Sequence, residues 1–303
     1  MTTKFKITLA VGFGFVFALQ LGCKNELPER PMPPCEDVIY LDLEEEPVGS
    51  SIDLSNWKVT LPIPRPDGNP LEIEPPAILD YSTNETLLPF LFDDSSDSSL
   101  VFYTYPGVTT ANSSYSRTEL REQMVPGSNS VNWTFAQGGV MRGTLSVPEI
   151  TLDNNGDTHR TMIMQIHGRL TDEQRDLIGE DDNNAPPVLK IFWQDDRIYV
   201  RTKQLENLAA TYEDMLSADA WGDDDGRFFE RVVGTERFTL EVIASEGFMS
   251  VTLDDEETFV YDDIHMEKWG VFENYFKAGN YLVTTDEEAS ATVKYYELEV
   301  SHD

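Results

Sequence analysis

The feature that most restricts this chain is a repeated alternation of apolar and polar residues in short segments, starting near Ile52 and running almost to the C-terminus. Phe238–Val242, Met249–Leu253 and Val293–Val300 all show it. A period of two places successive side chains on opposite faces of a strand, so each segment has one face for a core and one for solvent. Turn-forming clusters separate the segments: Asp67-Gly68-Asn69, Asp93-Asp94-Ser95-Ser96-Asp97, Asp153-Asn154-Asn155-Gly156-Asp157 and Asp223-Asp224-Asp225-Gly226. Many short strands with turns between them predict an all-β chain folded as an antiparallel sandwich or jelly roll. Only Gln204–Ala220 reads as helical, a short insertion into one large domain over residues 51–303.

The N-terminus reads as a targeting segment. Lys4 and Lys6 precede an apolar run from Ile7 to Leu19, too short to span a membrane, and Gln20-Leu21-Gly22-Cys23 follows it. Residues 1–22 are therefore expected to be a signal peptide of lipoprotein type, with Cys23 as the lipidation site. Residues 23–50, rich in Pro and acidic side chains, read as an extended tether. With Cys23 lipidated, Cys35 has no partner and no disulfide framework holds the fold. The expected location is the outer membrane, on its periplasmic or outer face, or otherwise the medium.

Charge narrows the partners. The chain has 22 Lys and Arg against 55 Asp and Glu, a net charge of -33. Such a surface repels nucleic acid and anionic lipid, which leaves the lipid anchor as the only expected membrane contact. A site for an acidic polymer would have to gather the few cations in one place. The acidic stretch Thr171–Pro187 reads as a solvated surface loop, with a lid or cation site as the alternative. Asp153–Asp157 lacks the spacing of a calcium loop. The glycosylation sequons at Asn84, Asn112 and Asn132 are chance matches behind a bacterial-type export signal.

Three segments carry the chemistry. In Ser116-Arg117-Thr118-Glu119-Leu120-Arg121-Glu122, Arg117, Glu119 and Arg121 share one strand face. In Met162-Ile163-Met164-Gln165-Ile166-His167-Gly168, Gln165 and His167 share a face, with Met162, Met164 and Ile166 on the other. In Tyr275-Phe276-Lys277-Ala278-Gly279-Asn280-Tyr281, Lys277 and Tyr281 share a face. Singly, each has an ordinary reading, such as a satisfied histidine or a salt-bridge ladder. Side by side in one sheet they would make a basic groove on an acidic protein, as binding a polyanion requires. Tyr199, Arg201 and Lys203 alternate on another segment and either extend that groove or are plain surface charge.

These segments resemble the three signature regions of the alginate lyases of polysaccharide lyase family seven. The matching blocks are Arg117-Thr118-Glu119-Leu120-Arg121-Glu122, Gln165-Ile166-His167 and Tyr275–Tyr281. Asp53–Pro62 resembles the family's domain start and Tyr295–His302 its last strand, so the likeness covers about 51–303. It implies a β-jelly roll, a concanavalin-like sandwich with a concave catalytic groove. It implies Arg117, Gln165, His167 and Tyr281 as the catalytic set, with Glu119, Arg121 and Lys277 in supporting and substrate-binding positions. One departure is Val283, where the family usually has Gln. Ile166, at the middle of Gln-x-His, is associated in the family with guluronate-containing chains, whether poly-guluronate or mixed blocks.

The reaction implied is β-elimination on alginate, leaving unsaturated uronate ends. Arg117 and Gln165 would bind and neutralise the sugar carboxylate, His167 would take the C5 proton, and Tyr281 would protonate the departing O4. In mannuronate both groups lie on one side of the ring, and Tyr281 would serve both steps. Activity is expected to rise as His167 loses its proton near pH ~6.5, and neighbouring Arg121 and Lys277 to lower the Tyr281 pKa from ~10. No cofactor or metal is expected, since His159, His167, His265 and His302 show no ligand spacing. A monomer is expected. The alternatives are a non-catalytic carbohydrate-binding jelly roll and a lyase on another polyuronate such as glucuronan. A glycoside hydrolase would need paired carboxylates, and Glu119 and Glu122 occupy opposite faces of one strand.

Overall fold

The computed structural model describes residues 49–110 and 113–302. The signal segment, Cys23, Cys35, the tether as far as residue 48 and the Asn112 sequon lie outside the described residues. Two antiparallel sheets form a sandwich. In hydrogen-bonded order and numbered along the chain, the first sheet runs β11 (Trp221–Asp223), β10 (Arg197–Leu205), β9 (Asn184–Gln194), β8 (Thr161–Arg169), β16 (Glu273–Leu282), β5 (Arg117–Glu122), β1 (Trp57–Pro64) and β2 (Pro70–Ile73). β12 (Arg227–Val232) and the two-residue β6 (Trp133–Thr134) pair with β10 and β16. The second sheet runs β15 (Glu257–Tyr261), β14 (Phe248–Leu253), β13 (Phe238–Ser245), β7 (Gly139–Ile150), β17 (Ala291–Ser301), β4 (Ser99–Thr104) and β3 (Leu91–Asp94).

The alternating segments of the sequence form strands as expected, and their apolar faces meet between the sheets. Leu120, Ile166, Phe276 and Ala278 from the first sheet are buried in one core with Leu145, Val242, Val293 and Tyr295 from the second. Burial of this apolar surface is the main favourable term for a sandwich. The helical expectation at Gln204–Ala220 is corrected: Gln204 and Leu205 finish β10, and only Tyr212–Leu216 forms α-helix, followed by a 3-10 turn at Ala218–Ala220. Two further short helices occupy Asp172–Ile178 and Ile264–Trp269. The first corrects the reading of Thr171–Pro187 as a loop. Thr171 and Gln174 cap its start reciprocally and left-handed Gly179 ends it, while Asn184–Pro187 already belongs to β9.

Two irregularities shape the middle of the first sheet. The register slips between Met162 and Met164 in β8, and between Ala278 and Tyr281 in β16. A bulge changes which face the following side chains take. Hence Met162, expected with Met164 and Ile166 on the apolar face, instead joins Phe192, Tyr199, Tyr281 and Val283 on the outer face, and Ile163 enters the core. Backbone groups freed at both bulges reach one side chain of the opposite sheet. The buried Tyr295 hydroxyl donates to Ile163 O at 2.6 Å and accepts from Gly279 N at 3.2 Å. Gly279 has φ +137°, and a Cβ there would lie 2.7 Å from Thr118 O and 2.9 Å from Glu119 Cα, so no larger residue fits.

Candidate active site

β16 lies between β8 and β5, so the three motif strands are adjacent, as the sequence reading required. Their register creates rows across the sheet. One row pairs Arg201 with Lys190, Lys190 with Gln165, Gln165 with Lys277, Lys277 with Arg121, and Arg121 with Lys58. On one side of it, His167 pairs with Tyr275; on the other, Tyr281 pairs with Arg117. These residues line a groove of about 1050 Å³. Of the described residues lining it, nine are Lys or Arg and three are Asp or Glu, the reverse of the whole chain's balance.

Glu119 organises the floor. It is 1% exposed and does not line the groove, yet its carboxylate accepts from Gln165 Nε2 at 2.5 Å and Arg117 Nη1 at 3.2 Å and pairs closely with Lys277 Nζ. One buried anion thus holds three of the groove's side chains in position, leaving no oxygen for a ligand above. Burial, offset by Glu119, pulls the Lys277 pKa down to about 8. Arg121 is committed to the protein as well: it donates to Glu122 O at 2.6 Å and Asn132 Oδ1 at 2.7 Å. Its guanidinium lies 4.1 Å from the Tyr275 ring centroid, and the Tyr275 ring also stacks on His167 at 5.1 Å.

His167 Nδ1 lies 2.9 Å from Gly168 O. A carbonyl only accepts, so the proton is on Nδ1, and Nε2 is left as an acceptor with no partner among the described residues. Burial first, then the charge of Lys277 with Arg117 and Arg121, pushes the His167 pKa down to about 3. The expectation of a titration near the ordinary histidine value is overturned: the ring is already neutral in mild acid. The expectation for Tyr281 is also corrected. Burial raises its pKa, outweighing the opposing charge of Arg117 and the hydrogen bond with Ser113. The Arg117 guanidinium covers the Tyr281 ring at 3.9 Å, and the phenol shares a 2.5 Å hydrogen bond with Ser113 Oγ. A neutral acceptor and a protonated phenol therefore stand on opposite sides of the Gln165–Lys277 pair.

Arg201 and Lys203 do reach the same sheet, where both converge on Asp223, with Arg201 lining the groove. Ile166 is fully buried between the sheets and touches no part of the groove, while Val283 lines it beside Tyr281. The sequence reading missed Tyr275, Lys190, Lys58 and Ser113. The first was legible, since it alternates with Lys277 and Tyr281; Ser113 lies in a loop with no periodic signal. Among the described residues, no group of three or more His, Cys, Asp and Glu is placed to hold a metal ion.

A sandwich with a cationic groove across one sheet, a neutral imidazole and a phenol in its floor defines a protein that handles an acidic polymer. The family model "Alginate lyase" matches residues 52–302, and the chain belongs to that family, the alginate lyases among the polysaccharide lyases. Solved structures agree. The alginate lyase A1-II', a member of polysaccharide lyase family 7, is 29% identical, with 83% of this chain and 96% of that one covered and a TM-score of 0.65. A variant of the same enzyme in complex with the substrate GGMG is 28% identical, covering 84% and 95%, with a TM-score of 0.66. An alginate lyase from Pseudomonas aeruginosa, 22% identical over 83% of this chain and 100% of its own, shares the fold with a TM-score of 0.60. No curated protein sequence matches the chain.

Proposed function

We propose that this protein cuts alginate by β-elimination, leaving unsaturated uronate ends, and that it favours guluronate-containing blocks. The observation that carries the mechanism is the His167 ring, fixed by Gly168 O with Nε2 open and held neutral by burial and cations. Arg117 and Gln165 bind the sugar carboxylate and draw off its charge, so the carbanion forming at C5 spreads into an enolate-like state facing donors already in place. His167 Nε2 takes the C5 proton and Tyr281 gives its proton to O4 as the glycosidic bond breaks. Each positioned acid or base contributes about 10²–10⁴-fold. Lys277 adds positive charge below the enolate, Glu119 fixes the groove's side chains from beneath, and Arg121 lines the groove beside Lys277, where it backs Tyr275 and faces the polymer.

The guluronate preference is supported by the separation of the two groups. In guluronate the C5 hydrogen and O4 lie on opposite sides of the ring, which suits a base and an acid standing on opposite sides of the Gln165–Lys277 pair. The similar enzyme A1-II' was solved with GGMG and with GGG. The lipid anchor at Cys23 and the outer-membrane location belong to the same reading: a tethered monomer releasing oligosaccharides at the cell surface. Absorbance of new unsaturated ends tests the activity, with residues 49–303 incubated separately with polyguluronate, polymannuronate and glucuronan beside a His167→Ala control. Signal on polyguluronate that disappears in the control is the expected result. Polymer bound but uncut would mean a binding module, and signal only on glucuronan would mean another polyuronate.

A further inference from the structure

The end of the groove formed by β9, β10 and β11 holds a second group of charges that the elimination does not use. Asp223, on the three-residue edge strand β11, has its carboxylate 2.6 Å from Lys190 Nζ, 3.0 Å from Lys203 Nζ and 3.6 Å from Arg201 Nη1. Cations in facing positions repel, so Lys190 and Arg201, directly paired in the sheet, need an anion beside them. At the catalytic row that anion is Glu119, sunk beneath the floor. Here it is different: Asp223 lines the groove itself and its side chain is 28% exposed. It stands where a ligand's carboxylate would stand. Arg201 Nε, out of reach of solvent, has no hydrogen-bond partner among the described residues, so the cluster keeps a donor in reserve.

From β8 to β10 is two strand spacings, ~10 Å, about the length of two 1,4-linked pyranose rings. A chain lying along the row, with one carboxylate at Gln165, therefore brings another to Lys190 and Arg201 two sugars away. Resting on the polyuronate reading above, we propose that Lys190, Arg201 and Lys203 form a distal uronate subsite whose carboxylate position is filled in the free protein by Asp223. Asp223 is then a specificity determinant. An acidic sugar must displace it to gain the three cations, which weakens this subsite and limits the preference for long acidic chains.

Asp223→Asn removes the internal anion while keeping the side chain's size. The expected result is a KM about 10-fold lower for polymeric substrate, with a steeper salt dependence, and little change for oligomers too short to extend two sugars past the cut. A KM for polymer that is unchanged or higher, in a variant melting like the wild type, overturns the proposal. Should Asp223→Asn fold poorly, Arg201→Gln keeps the Asp223 pairs with Lys190 and Lys203. It is expected to raise KM for polymer and not for the short oligomers; an equal rise at both lengths, or none, is equally fatal. If the wild type makes no unsaturated ends on any polyuronate, the parent reading has failed, and the subsite is then tested alone by calorimetry. Tighter binding of polyguluronate to Asp223→Asn than to wild type supports it, and equal binding refutes it.

Discussion

Replacing Glu119 by Gln keeps its volume and removes one buried charge. The wild-type carboxylate serves three donors at once, Arg117, Gln165 and Lys277. A carboxamide has one accepting oxygen, and its NH2 must face a donor whichever way it is turned, either Gln165 Nε2 or the two cations. Lys277, with its pKa already at about 8, can escape by shedding a proton. Arg117 cannot, because a guanidinium stays charged at any working pH. Breaking a buried pair by removing one partner costs about 3–5 kcal/mol, and the proton released by Lys277 puts this case at the lower end. For a domain of this size ~3 kcal/mol lowers the melting temperature by about 6–12 °C. A second readout is independent of stability. Glu119 holds the Lys277 pKa up, so in Glu119→Gln the ammonium is lost at lower pH and the alkaline limb of kcat/KM moves toward acid. Calorimetric melting and a pH–rate series measure both. A melting temperature within about 3 °C of wild type, with the alkaline limb unmoved, would show that Glu119 is not the anchor of the groove floor.

Because the His167 pKa lies at about 3, kcat/KM is expected to show no acid limb near pH ~6.5 and to fall only as Lys277 deprotonates around pH 8; a limb centred on the ordinary histidine value would sink this picture. Tyr295→Phe strands the backbone groups of Ile163 and Gly279, costing about 1–3 kcal/mol and lowering kcat through a displaced Tyr281, which melting and single-turnover rates would reveal. Gly279→Ala is expected to be harsher, with backbone strain of about 1–3 kcal/mol added to overpacking against Thr118 O, so soluble yield and melting should both drop. His302 pairs with buried Glu122, which raises the histidine pKa despite burial. That stabilisation is full below the unfolded value of ~6.5 and is lost as pH rises through the folded one, so the melting difference between wild type and His302→Gln should shrink from pH 6 to pH 9.

Much of the candidate site was readable because strand alternation is a strong local rule. Arg117 with Glu119, Gln165 with His167 and Lys277 with Tyr281 share faces as the spacing demands, and their strands are neighbours. The misreadings have physical causes. Met162 faces outward, against the alternation, because a bulge breaks the period of two, and nothing in Met162-Ile163-Met164 announces one. The His167 and Tyr281 protonation expectations failed because burial is a property of the assembled groove and not of either segment. The helix at Asp172–Ile178 has its signature in Thr171 and Gln174, a capping pair set within an acidic stretch whose composition alone suits a loop. Asp223 looked like part of a turn, and only pairing with Lys203 across β10 and β11 shows it as a groove residue.

The cation row sits on a chain of net charge -33, so an acidic polymer meets two fields of opposite sign at different ranges. In dilute buffer of 0.01 M salt, where charges are felt over roughly 30 Å, the polymer approaches a repelling body. At about 0.15 M that reach shrinks to ~8 Å, and the outer repulsion fades while contacts inside the groove, closer and poorer in water, persist. Dissolved ions therefore open the way in before they loosen the hold. The same asymmetry governs departure. On the proposed function, a short fragment that keeps few carboxylates on the row would lose most of its attraction, and the negative body that delays the polymer's arrival would speed the fragment's release.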